Sequence, residues 1–158
     1  MQTQAVSPVF LTITAPELLE GLKTEKTPKW GVMTAQHMVE HLGLTVKISN
    51  GKKNVQLVTP IEQLEIKRTF LFGKMPFPKN VKISGVTTTE LNTLKFEDLE
   101  TAKKALYSEI QDFLTYFEGN DGLKPMHPVF GELTKAEWML FHQKHFNHHF
   151  LQFGLLKD

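Results

Sequence analysis

The chain has 158 residues, enough for one domain with a single sizeable core. Apolar residues make up 41% and charged residues 22%, with a net charge of +1, so no basic field points to nucleic acid or an anionic membrane. Cysteine is absent, which removes disulfides, thiolate metal sites, cysteine nucleophiles and covalent c-type haem together.

No stretch reaches the roughly eighteen apolar residues of a membrane span. The opening MQTQAVSPVFLTI has neither a basic n-region nor a long apolar h-region, so a secretory signal is not expected. These features predict a cytoplasmic protein with one domain over 1–158.

Residues 1–13 read as extended or loosely attached. Thr14-Ala-Pro16-Glu17 has the spacing of a capping box with proline in the first turn, predicting a short helix to about Lys23. Polar residues 24–29 break the chain. A helix is expected over 33–50, with Thr34, His37, His41, Thr45 and Ile48 on one inward face and Asn50-Gly51 as its stop. Thr59-Pro60-Ile61-Glu62 reads as another capping box, with Pro60 at the first helical position of a helix to about Phe72. Its apolar stripe is interrupted by Arg68, which marks it as peripheral.

Pro76, Pro78 and Gly85 exclude a helix over 73–85, and 81–91 is a candidate for a short extended piece. The clearest amphipathic helix spans 96–118, where Leu99, Leu106, Ile110, Phe113 and Phe117 recur at helical steps before Gly119. Asn120–Pro125 is a turn. Thr134-Lys-Ala-Glu137 then opens a last helix that Gly154 ends. Helices with almost no strand signal predict an all-α bundle.

Five of the seven histidines lie between 127 and 153. On the last helix Trp138, His142, His145, His149 and Gln152 fall within about 80° of one face. Imidazoles on a buried stripe are costly unless they bond to something. His145 and His149, four residues apart, stand one above the other and can reach one ion at about 2.0–2.1 Å. The third ligand would come from the 33–50 helix, as His41 or His37. Three neutral nitrogens and an open fourth position describe a catalytic-type divalent site. An HxxxH pair more often sits on a solvated face, and hydrogen-bonded core histidines are the plain alternative. His142 reads as a core or channel-lining residue. His148, about 80° off the stripe, reads as a rim residue or a group that orients a ligand. His127 reads as a loop staple, and Trp30 and Trp138 as packing residues.

His145-Phe-Asn-His148-His149-Phe-Leu-Gln152 resembles the H-x-x-H-H-x-x-Q signature of the last helix in the DinB/YfiT-like metal-dependent four-helix bundles. The strings WGVMTAQHMVEHL (30–42) and HPVFGELTKAEWMLFHQKHFNHHFLQFG (127–154) are similar to an uncharacterised branch of that superfamily, a domain of unknown function. The resemblance implies a DinB-like four-helix bundle, with an extra short helix at about 60–72 and an irregular 73–95 connection. It implies that His41, in preference to His37, joins His145 and His149 in binding a divalent metal, zinc or nickel; by their positions His37, His142, His148 and Gln152 are expected in the pocket or behind the ligands. It also implies a small-molecule substrate, with a low-molecular-weight thiol as one candidate, and pairing into a homodimer. Phe150 and Leu151 stand where the common DinB signature has Arg-Gly.

Two functions follow from these residues together with the resemblance, which alone supplies the thiol chemistry. One is a metal-dependent enzyme, a thiol transferase or related hydrolase or lyase, with His142, Gln152 or Glu40 orienting groups or shuttling protons. The other is a non-catalytic bundle that binds metal or a small ligand. Haem ligation has no attachment motif, and DNA binding has no basic face.

Overall fold

A computed structural model describes residues 7–80 and 91–157. Among these, five α-helices carry the fold: α1 (Ala15–Glu20), α2 (Ala35–Ser49), α3 (Ile61–Phe72), α4 (Leu99–Tyr116) and α5 (Lys135–Gln152). A two-residue antiparallel pair, β1 (Met126–His127) and β2 (Gly131–Glu132), precedes α5 with Met126 opposite Glu132 and His127 opposite Gly131. The class is all-α, as expected, apart from that small hairpin. None of the described helices is long and apolar enough to cross a membrane.

Side-chain caps explain where α2, α4 and α5 begin. Thr134 accepts from the Glu137 amide while the Glu137 side chain accepts from the Thr134 amide, so the predicted capping box closes reciprocally. The Thr34 hydroxyl caps α2 through the His37 amide. Helix α4 starts later than its apolar pattern, at Leu99, because Asp98 accepts from the Thr101 amide.

Two predicted capping boxes are absent. Thr14 makes no side-chain cap, because the chain before it is already wound: Phe10–Thr14 forms a π-helical turn that runs into α1. Residues 7–13 are therefore not loosely attached; Leu11 is buried in the core. Thr59 instead donates its hydroxyl to the Val129 carbonyl, tying the start of α3 to the hairpin. Pro60 lies before the helix, with extended ψ, rather than at its first position. The extended piece suggested at 81–91 lies almost entirely outside the described residues.

The core forms where α4 and α5 lay their apolar faces against α2. Leu99, Leu106, Ile110 and Phe113 of α4 are buried, as are Trp138, Phe146 and Phe150 of α5. Helix α2 buries Ala35, Met38, Val39, Leu42 and Val46. That stripe is rotated from the predicted one: His37, His41, Thr45 and Ile48 are only partly buried. The rotation sets the histidines of α2 at the border between core and solvent.

Helix α3 is peripheral, as its broken stripe predicts, yet it is firmly anchored. Arg68 donates to the Phe130 and Glu132 carbonyls and pairs with Glu137 at 2.9 Å. Lys144 of α5 donates to the carbonyls of Phe70, Leu71 and Gly73. A cation there complements the C-terminal end of the α3 dipole.

Candidate metal centre

Helical periodicity stacks His145 and His149 on the inner face of α5, and the packing of α2 brings His41 against them. The three Nε2 atoms face a common point. His41 Nε2 is 2.9 Å from His145 Nε2, and His149 Nε2 is 3.2 Å from it. The ring centroids are 4.8–5.0 Å apart and the planes are inclined by 74–79°, so the rings are arranged like propeller blades. Ligands about 2.05 Å from a tetrahedral centre would stand about 3.3 Å from one another. The two measured edges lie close to that value, and the three ligand atoms all lie within 4.8 Å of each other. This donor set suits a divalent ion of the zinc, nickel or copper kind and leaves a fourth position open.

Burial prepares the rings as ligands. It pushes the His41 pKa down to about 4 and that of His149 to about 3, and moves His145 well below its ordinary value. Mutual repulsion among the imidazoles adds to the effect at His145 and His149. All three are therefore neutral near pH 7, the form that binds metal. His145 and His149 are buried, whereas His41 is partly exposed and marks the solvent side.

The hydrogen bonds assign one tautomer. Gln152 donates from Nε2 to the Trp30 carbonyl at 3.0 Å, which turns its Oε1 toward His149. His149 Nδ1 lies 2.7 Å from that oxygen, so Nδ1 carries the proton and the Nε2 lone pair faces the centre. The Trp30 loop is held close by Lys29, whose amide donates to the Gln152 carbonyl at 2.7 Å. Gly31 permits this approach: its φ is +80°, and a Cβ there would stand 3.0 Å from the Gln152 amide nitrogen. His145 Nδ1 has no hydrogen-bond partner among the described residues; the ring sits against Phe141 at 5.1 Å and Phe77 at 6.5 Å.

The other histidines are used elsewhere. His37 spends both ring nitrogens, donating from Nε2 to the Asn92 carbonyl and accepting the Thr34 hydroxyl at Nδ1. His142 is fully buried between Trp138 and Phe113. Ser49 donates to the Val46 carbonyl, so His142 Nε2 donates to the Ser49 oxygen at 2.8 Å and Nδ1 is left as a bare acceptor without a partner. Sequence reading had no signal for that pair, since Ser49 is one residue among many small polar ones. His148 lies beside the centre, 5.1 Å from the His149 ring and 5.5 Å from Trp30. His127 staples the hairpin, its Nδ1 accepting from the Val129 and Phe130 amides. Glu40 is occupied as well: its carboxylate accepts from the Lys95 and Phe96 amides and from Gln36.

No curated protein and no solved structure matches this chain. A family model does, over residues 17–154, and that span takes in α2, the hairpin and α5 with all three converging histidines. The chain belongs to the family described as Protein of unknown function (DUF1569).

Proposed function

We propose that this chain is a DinB-like four-helix bundle whose His41, His145 and His149 bind a divalent metal, zinc or nickel, for chemistry on a small molecule. In that arrangement α1 extended by its π-helical turn, α2, α4 and α5 are the bundle helices, and α3 is the extra helix. The convergence of three neutral Nε2 atoms, with the His149 tautomer held by Gln152, carries this reading.

A divalent ion held there would supply a Lewis-acidic open position that lowers the pKa of a thiol or water meeting it. The protein's own groups do the rest. Gln152 keeps the proton of His149 on Nδ1, and Phe141 and Phe77 wall off water on the His145 side. His41 faces the approach of ligand. Glu40, the nearest carboxylate in sequence, is committed to the 95–96 backbone, so a general base for simple hydrolysis is not among its duties. This favours thiol chemistry, a transferase or lyase acting with a low-molecular-weight thiol in the cytoplasm, over hydrolysis.

Elemental analysis of purified protein tests the centre. About one equivalent of metal is expected in the wild type and in His37→Ala, and almost none in His41→Ala or His149→Ala. Retention of metal by both ligand variants would sink the proposal. Turnover of model electrophiles with and without thiol and metal then separates an enzyme from a bundle that only binds metal.

A further inference from the structure

Among the described residues, the rim of the centre carries lysines that no carboxylate pairs. Lys79 Nζ lies over the Trp30 ring, 4.4 Å from its centroid. Trp30 in turn contacts His148 edge-on, and His148 contacts His149. Two more lysines crowd the same end of α5. A methyl group placed on Gly154 would stand 3.6 Å from Lys26 Nζ and 3.5 Å from Lys29 Cε. Among the described residues the ion pairs use Lys47, Lys52, Arg68 and Lys103, and none of these three rim lysines.

A centre made only of neutral imidazoles does nothing to offset this charge. A divalent ion held by three uncharged rings would keep its full double charge, and the rim lysines would add to it. No carboxylate belongs to the ligand set. Such a field favours an anionic ligand, because the three-histidine set itself supplies no negative charge. The Trp30 ring carries the Lys79 ammonium on its face and meets His148 edge-on, and its carbonyl is fixed to the Gln152 that orients His149.

Building on the centre proposed above, we infer that Lys79, Trp30 and His148 form a carboxylate-reading rim, and that the ligand is a small carboxylate-bearing molecule, such as a carboxylate-bearing thiol. A divalent ion held by the three histidines would take the thiol sulfur, and Lys79, beside the indole, would pair with the carboxylate. Lys26 and Lys29 strengthen the field without a direct contact.

The test uses full-length protein loaded with cobalt(II), whose absorption reports metal uptake before any ligand is added. Wild type, Lys79→Gln and Lys79→Arg are titrated with N-acetylcysteine and with N-acetylcysteamine, which lacks the carboxylate, following the sulfur-to-cobalt band. N-acetylcysteine should bind the wild type about two- to fivefold more tightly, as one partly exposed ion pair allows. Lys79→Gln should erase that difference and Lys79→Arg keep it, with cobalt uptake unchanged in both. High salt should shrink the difference in the wild type. Equal affinities in the wild type, absence of binding by either thiol, or a preference that survives Lys79→Gln overturns the rim while leaving the metal centre intact. Failure to take up cobalt removes the centre, and the rim's role with it.

Discussion

Gln152→Leu probes the hydrogen bond that points His149 inward. The substitution removes the 2.7 Å acceptor of His149 Nδ1–H and the 3.0 Å donor to the Trp30 carbonyl. The buried His149 Nδ1–H left without a partner costs about 1–3 kcal/mol, and the part-buried Trp30 carbonyl less, so a loss of that order in folding stability is expected. The His149 proton is then free to move to Nε2, which withdraws a lone pair from the centre. Loss of such an outer hydrogen bond typically weakens metal binding about 10- to 100-fold, or about 1.4–2.7 kcal/mol. Gln152→Glu separates the two effects, since a carboxylate still accepts from Nδ1–H but cannot donate to the Trp30 carbonyl. It should lose stability yet hold metal within a few-fold of wild type. Competition against a chromophoric chelator at pH 7.5, with thermal unfolding of the metal-free proteins alongside, measures both quantities. If Gln152→Leu folds and binds metal within twofold of wild type, the tautomer argument is wrong. It is also wrong if Gln152→Glu loses as much affinity as Gln152→Leu.

Three further outcomes test the surroundings. His142→Leu gives up one bond to Ser49 but also removes the partnerless Nδ1, so it should cost less than about 1 kcal/mol in urea unfolding and leave metal stoichiometry unchanged. A loss of metal would make His142 part of the centre. Burial lowers the His127 and His142 pKa to about 3 from the ordinary 6.5. Below pH 6.5 the unfolded chain therefore takes up protons that the native rings refuse. Stability is full above pH 6.5 and should fall by up to about 1.4 kcal/mol per pH unit per ring toward pH 3. Urea midpoints unchanged between pH 7 and pH 4.5 would contradict this. Gly51→Ala combines a φ of +80° with a Cβ that would stand 2.5–2.7 Å from the Tyr116 ring, so it should destabilise by at least about 1 kcal/mol. An unchanged melting temperature would show that Tyr116 yields freely.

Local sequence rules carried much of this fold because they act over a few residues. The reciprocal cap of Thr134 and Glu137, the apolar steps of α4 and the four-residue spacing of His145 and His149 all follow from helical geometry. The failures occurred where a side chain had a distant alternative or where the local pattern carried no period. Thr59 has capping spacing but meets the Val129 carbonyl, 70 residues away in sequence. Residues 10–14 lack a simple period yet wind into a π-helical turn that buries Leu11.

His37 and His41 illustrate the boundary most clearly. They lie one turn apart on the same face of α2, so periodicity offers both to the centre equally. Packing separates them. The rotation of α2 against α4 and α5 brings His41 Nε2 to 2.9 Å from His145 Nε2, while the chain at Asn92 takes the His37 ring for its own carbonyl. Sequence alone determined that imidazoles would gather on two helices. Which nitrogens share a point, and which tautomer Gln152 imposes, was decided only in the tertiary structure, because those contacts join residues about a hundred positions apart.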